Sequence, residues 1–226
     1  MINKIVPTMA DALTGVRDGM TVLLGGFGAV GQPSALVEAL IETGVKDLVV
    51  VANNAGGGKG GLAGLMEAGR VRKIICSFPR SANSTVFEEL YRAGKIELEI
   101  VPQGTLAERM RAAGAGVGAF FTPTGVGTKM AEGKEAREIN GRPMILEQAL
   151  RGDIALVEAW QADRWGNLTF KRSARNFNPV MATAADISIV QSQHIVELGA
   201  LDPEHVVTPG IFVDRVIHVP YGDPPF

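Results

Sequence analysis

Thr21-Val22-Leu23-Leu24-Gly25-Gly26-Phe27-Gly28-Ala29-Val30-Gly31-Gln32-Pro33 is the stretch whose reading decides the fold. Its first four residues form a short apolar run without polar alternation, the pattern of a buried strand. The glycines end that strand in a tight loop. Pro33 suits the first turn of a following helix, where a missing N–H costs nothing. Leu36, Val37, Leu40 and Ile41 then share one helical face, and Gly44 stops the helix. Upstream, Met9, Ala12, Leu13 and Val16 also follow helical spacing. The unit is strand, glycine loop, helix.

The same grammar recurs along the chain. A strand is expected over residues 48–52, a loop from Asn53 to Gly61, a short helix to Gly69, a strand over residues 71–78 and a helix over residues 84–93. Ile96, Leu98 and Ile100 alternate as in a strand, and Thr105 with Glu108 three residues on reads as a capping box opening the next helix. Strands alternating with helices imply parallel pairing through right-handed crossovers. The expected fold is therefore α/β, a three-layer α/β/α sandwich on a mainly parallel sheet. From about residue 120 the pattern changes to paired strands, with turn signals at Asn140-Gly141 and Gly166-Asn167. No linker composition or fixed-period repeat appears, so residues 1–226 are read as a single domain.

Composition narrows the function classes. The chain has 226 residues, 46% hydrophobic and 20% charged, enough apolar material for a substantial core. Its formal net charge is −2 with both signs dispersed, so no basic stripe is present for a nucleic acid. No apolar stretch reaches the roughly 20 residues that span a bilayer, and no basic-then-apolar leader opens the chain. The expectation is a cytoplasmic protein without a membrane partner. In that setting the sequons at Asn83 and Asn167 carry no meaning. Cys76, the single cysteine, lies in an apolar run and reads as a buried, inert thiol. The three histidines, His194, His205 and His218, are scattered without ligand spacing, so no metal is expected.

Residues Gly25, Gly26, Phe27, Gly28, Ala29, Val30 and Gly31 lead into a helix start, where free N–H groups favour an anion or a carbonyl oxygen. Gly26, Gly28 and Gly31 also match the GxGxxG spacing of dinucleotide sites. That fingerprint requires an acidic residue at the end of the second strand. Here the strand ends in Ala52-Asn53-Asn54, and Asp47 stands at its beginning. A nicotinamide cofactor is accordingly demoted. The plainer alternative is a loop that is glycine-rich only to turn tightly.

Four segments carry a family resemblance. The run from Asp18 to Pro33 resembles the first signature of the 3-oxoacid CoA-transferase family, a polar pair, an apolar strand and GGF leading to a GxP ending. Ala52-Asn53-Asn54-Ala55-Gly56, the segment from Pro102 to Arg109 and Ser173-Ala174-Arg175-Asn176-Phe177-Asn178 resemble further family blocks. Within the family, the segments from Cys76 to Arg80, Glu89 to Glu99 and Asp163 to Thr169 are closer to the branch acting on 3-oxoadipate in the breakdown of aromatic compounds. The acetoacetate branch is the runner-up.

The resemblance implies the sandwich fold shared with sugar-phosphate isomerases, with CoA as a substrate and no tightly bound cofactor. It also implies a CoA-transferring enzyme made of two unlike subunits. CoA exchange proceeds through a carboxylate that forms an anhydride and then a thioester. In relatives that glutamate lies in a Ser-Glu-Asn-Gly segment of the second subunit, and no such segment occurs here. The expected partners are therefore that second subunit, CoA esters and 3-oxo or dicarboxylic acids, with no catalytic nucleophile in this chain.

What remains for this half is stabilisation of the oxygen that gains charge. The loop amides, Asn53, Asn54 and Gln103 are the candidate neutral donors, with residues 25–31 assigned to CoA contact by the resemblance. Against this, paired asparagines commonly bond their own backbone in turns. For Gln103 the plain reading is a solvated loop amide. Arg175 suits a substrate's distal carboxylate, but bracing of a loop or of a contact between subunits is the preferred reading. Lys59 is read as an exposed lysine, and Trp160 and Trp165 as core or interface residues. The competing function classes are a stand-alone metabolite-binding module and a dinucleotide oxidoreductase.

Overall fold

A computed structural model describes residues 2–58, 60–80 and 83–220, so Lys59 lies outside the described residues. The strands are β1 (Ile5–Val6), β2 (Thr21–Leu24), β3 (Leu48–Val51), β4 (Val71–Cys76), β5 (Glu97–Ile100), β6 (Ala119–Thr122), β7 (Ala136–Ile139), β8 (Arg142–Gln148), β9 (Gly152–Asp163), β10 (Leu168–Thr169), β11 (Ala185–Val196) and β12 (Arg215–His218). The helices are α1 (Met9–Ala12), α2 (Ser34–Glu42), α3 (Gly61–Glu67), α4 (Val86–Arg92), α5 (Gln103–Gly114) and α6 (Asn178–Thr183).

The main sheet runs β1-β12-β11-β9-β2-β3-β4-β5, parallel throughout, with β10 added antiparallel to β9. Side chains alternate across it as strand geometry requires. Val22, Leu24, Val50, Ile74 and Cys76 pack with α1 to α4 in one apolar cluster. Leu23, Val51, Ile75, Val157 and Val190 pack with Leu106, Met110 and Met181 of α5 and α6 in another. Two helix layers therefore enclose the sheet, as the alternating grammar implies.

The second half contains the expected strand pairs, β7 with β8 across Asn140-Gly141 and β9 with β10 across Gly166-Asn167, but its longest strands pair otherwise. β9 and β11, each 12 residues long, are central parallel strands of the main sheet, and β2 pairs with β9. Only β6, β7 and β8 form a separate antiparallel sheet. Its β7–β8 turn has Asn140 and Gly141 both at positive φ, 52° and 71°. That is the turn geometry that Asn-Gly favours.

The capping box at Thr105 does not form. α5 begins two residues earlier, at Gln103, because Pro102 stands extended just before it and no side chain caps the end. Thr105 is buried within the first turn, and its Oγ1 has no hydrogen-bond partner among the described residues. An unsatisfied buried hydroxyl is a liability, so Thr105→Val is expected to leave stability unchanged or raise it by up to about 1 kcal/mol. Urea unfolding checks this; a loss of about 1 kcal/mol is what a capping threonine would give.

Glu99 ties the edge strand β5 to its neighbours. Its carboxylate accepts from Lys73 Nζ on β4 at 2.5 Å and from Arg109 Nη1 on α5 at 3.1 Å. Arg109 Nε also donates to Gln148 O at 2.8 Å, joining the small sheet to the main body. Burial pushes the Glu99 carboxyl upward, but the bonds and charges of Lys73 and Arg109 outweigh it and hold the group below its usual 4.5. A folded-state value below the unfolded one stabilises at pH above about 4.5, and that contribution is lost as pH falls through the lowered value. Glu99→Gln should flatten the dependence of urea-unfolding stability on pH across this acid window.

Candidate active site

The loops after β2, β3, β4 and β5 all leave the same edge of the parallel sheet, the edge at which α/β folds gather ligands. Register places the end of β2 against the middle of β9, with Leu24 beside Leu156. β9 therefore runs on past the glycine loop and supplies one wall.

That loop is a tight hairpin. Phe27 N–H donates to Val30 O at 2.9 Å and Val30 N–H to Phe27 O at 3.2 Å. Its outer glycines serve packing: a Cβ on Gly25 would sit 1.9 Å from Asn178 Oδ1, and one on Gly31 would sit 2.6 Å from Ala174 O. Gly28 differs. It has φ +62°, and a Cβ there would find Asn54 Nδ2, 3.9 Å away, as its nearest neighbour. The backbone N–H groups of Gly28 and Ala29 at the tip donate to nothing among the described residues.

The free amides are in the loop, whereas the helix start is already satisfied. Gln191 Oε1 on β11 accepts from Ala35 and Leu36 N–H at 3.1 and 3.2 Å. Gln191 Nε2 in turn donates to the buried Glu158 carboxylate at 3.1 Å. Asn178, fully buried, completes the support. It accepts from Glu158 N–H at 2.9 Å and donates to Gly31 O at 2.9 Å and Ala174 O at 2.8 Å. These long-range partners bear no spacing signal in sequence. Of the three, only Asn178 falls in a segment that carries the family resemblance.

Asn53 and Gln103 meet directly, though they are 50 residues apart. Asn53 is buried after β3, and its Oδ1 accepts from Gln103 Nε2 and Ser77 Oγ, each at 2.8 Å. Held by its oxygen, the carboxamide has Nδ2 with no partner among the described residues, yet accessible and not sealed in the core. Gln103 thus spends an N–H on orienting Asn53. Asn54 does what paired asparagines commonly do in turns, its Oδ1 facing Gly56 N–H at 3.4 Å, while its Nδ2 faces Gly28. Ser77 is the clamp that pattern reading missed, because a serine at a strand end has no spacing that marks it.

A groove of about 420 Å³ opens beside this pair, lined by Phe27, Gln103, Arg111, Arg175 and Val180 among others. Arg175 is exposed and forms no hydrogen bond or ion pair among the described residues, so it braces no loop among them. A second, smaller cavity of about 220 Å³ lies on the Gly31 side against Glu158, Trp160 and Lys171. Lys171 Nζ stands 3.8 Å above the Trp160 ring, and His194 meets that ring edge-on. Trp165 is 43% exposed. His205 pairs with Asp202, and His218 Nε2 lies 3.3 Å from Gln193 O. Among the described residues no three metal-ligating side chains converge, and no helix is long and apolar enough to cross a membrane. Cys76 is fully buried, and burial lifts its thiol to about 11 despite a bond from the Phe78 backbone. Asp47 precedes β3, at the end of the sheet opposite the site.

Residues 6–218 match the family model described as coenzyme A transferase. Over 97% of its length the chain is 60% identical to one of the subunits of the 3-oxoadipate CoA-transferase of Pseudomonas putida, covering 95% of that protein. It is 51% identical over 91% of its length to the corresponding subunit of the succinyl-CoA:3-ketoacid coenzyme A transferase of Xanthomonas campestris, covering 85% of it. Among solved structures, an acyl-CoA transferase from Escherichia coli superposes with a TM-score of 0.84 at 22% identity. That superposition covers 99% of this chain, which spans 49% of the other.

Proposed function

The chain belongs to the coenzyme A transferase family, and from that premise we propose that it is the first of two unlike subunits of an enzyme that moves CoA from succinyl-CoA to 3-oxoadipate. The greater identity to the 3-oxoadipate relative, 60% against 51%, favours that acceptor over acetoacetate. Both relatives are named as subunits, which supports a partner chain here. CoA is then substrate and product, with no tightly bound cofactor, and the single buried thiol fits a cytoplasmic setting.

In the proposed reaction a glutamate carboxylate of the partner adds to the succinyl thioester carbonyl. The C–S bond breaks, CoA leaves as thiolate and a mixed anhydride remains. The thiolate then attacks the glutamyl carbonyl of that anhydride, succinate departs and a glutamyl-CoA thioester forms. The carboxylate of 3-oxoadipate attacks this thioester, and the same two steps run in reverse order to release 3-oxoadipyl-CoA and the free glutamate.

Each addition places negative charge on a carbonyl oxygen, and neutral N–H donors fixed beforehand lower that barrier. The observation that carries the reading is the Asn53 carboxamide, clamped through its oxygen by Ser77 and Gln103 so that Nδ2 is the available donor. Asn54 Nδ2, beside Gly28, and the tip amides of Gly28 and Ala29 are assigned to the acyl or CoA oxygens, with the rest of residues 25–31 shaping the contact. Gln103 acts mainly by positioning Asn53, so Gln103→Ala should slow turnover less than loss of Asn53 itself.

The direct test is reconstitution. Neither chain by itself should transfer CoA, and the mixture should convert 3-oxoadipate faster than acetoacetate with succinyl-CoA as donor. Activity of this chain alone would refute the division of labour. The loop is probed separately by Gly28→Ala, whose methyl meets no protein atom closer than 3.9 Å. Its left-handed φ should cost about 1–2 kcal/mol of stability. A concurrent rise in KM marks ligand contact at the tip, and unchanged KM reduces Gly28 to a turn residue.

A further inference from the structure

The groove beside Gln103 has a polarity that CoA transfer by itself does not demand. Gln103, Ala107 and Arg111 stand at four-residue spacing on α5, hence on one face. The Cα atoms of the first and last are roughly 12 Å apart along the helix. Pro179, Val180 and Arg175 line the same groove. The groove thus carries a neutral amide, apolar sides and two guanidinium groups.

The two cations are poorly committed elsewhere. Arg175 has no hydrogen bond or ion pair among the described residues. Arg111 pairs only with Glu108, one turn back at 3.1 Å, with its side chain 61% exposed. An exposed pair of that kind is worth little and is readily exchanged for a better anion. Guanidinium forks match carboxylate geometry, and two of them on one apolar groove are mutually repulsive until an anion lies between.

We infer that Arg175, assisted by Arg111, receives the distal carboxylate of a dicarboxylic acyl group whose reacting carbonyl lies toward the Asn53 and Gln103 amides. The groove is then the acyl subsite, and it selects chains that end in a second carboxylate. The apolar sides suit the methylenes between the two ends. This inference rests on the CoA-transfer reading above and names the feature of the acyl group that the chain recognises.

The test uses the reconstituted two-chain enzyme and reads the half-reaction from acyl-CoA to enzyme thioester. Succinyl-CoA, with a distal carboxylate, is compared with acetoacetyl-CoA, which has none. Arg175→Ala should cut kcat/KM for succinyl-CoA on the order of 100-fold, the loss expected for charge-assisted bonds, and leave acetoacetyl-CoA nearly unchanged. Arg175→Lys should restore part of the loss. Inhibition supplies an independent reading: wild type should bind free succinate more tightly than its monomethyl ester, and Arg175→Ala should level the two. Equal losses for both thioesters, or none for either, with no change in the inhibitor preference, would overturn the assignment. A wild-type enzyme that forms no thioester from either donor would instead refute the CoA-transfer reading itself.

Discussion

Asn53→Ala is expected to lower kcat by about 100- to 1000-fold, the usual cost of removing one preorganised donor to a developing oxyanion. In the proposed role Asn53 Nδ2 is that donor, fixed beforehand because Ser77 Oγ and Gln103 Nε2 both hold its Oδ1 at 2.8 Å. Alanine removes the donor and also leaves Gln103 Nε2 without its acceptor, while Ser77 Oγ keeps the backbone Asn53 O at 2.8 Å. Asn53→Asp separates the effects. Aspartate keeps the acceptor for Ser77 and Gln103, removes the donor and places negative charge where more is about to form. It should therefore be at least as slow as alanine while unfolding at a similar urea concentration. The measurement is turnover of succinyl-CoA and 3-oxoadipate by the reconstituted variants. An aspartate variant with near-normal kcat would remove Asn53 from the oxygen-binding role.

Asn178→Asp is expected to be the most destabilising isosteric change in the chain, costing about 3 kcal/mol or more. The native amide donates to Gly31 O and Ala174 O and accepts from Glu158 N–H, all without solvent exposure. Aspartate keeps the acceptor but turns a carboxylate oxygen toward two carbonyl oxygens and toward the region of the Glu158 carboxylate. The variant should unfold at much lower urea concentration or show a displaced glycine loop with a raised KM. Asn178→Ser, smaller and neutral, should lose less than the aspartate if charge is the main cost. Equal losses would point to shape alone.

Much of the front half of the fold was legible because its strands are short apolar runs bounded by glycine. Val22, Leu23 and Leu24 declare a buried strand, and Leu36, Val37 and Leu40 declare the inner face of the next helix. β9 and β11 were harder. A 12-residue strand buried along most of its length has little alternation to mark it, and β2, one neighbour of β9, is more than 100 residues away in sequence. The site shows the same division. Asn53, Asn54, Gln103 and the glycine loop stood out by type and position after strands, and the structure brings Asn53 to Gln103 and Asn54 to Gly28. Sequence made Gln103 a candidate donor, and the structure adds that its Nε2 also holds Asn53 Oδ1. It named the loop amides as donors because they lead into a helix start; Gln191 caps that start, and the amides without a partner among the described residues are those at the loop tip. Both details depend on partners distant in sequence, Gln191 being more than 150 residues from the helix it caps. A capping glutamine from another strand leaves no local pattern.

The central claim is that this chain holds the oxygen while its partner supplies the attacking carboxylate. Mass spectrometry of both chains after brief exposure of their complex to succinyl-CoA locates the covalent CoA. The account predicts the adduct on a glutamate of the partner and an unmodified mass for this chain. A CoA thioester on a glutamate of this chain would contradict it.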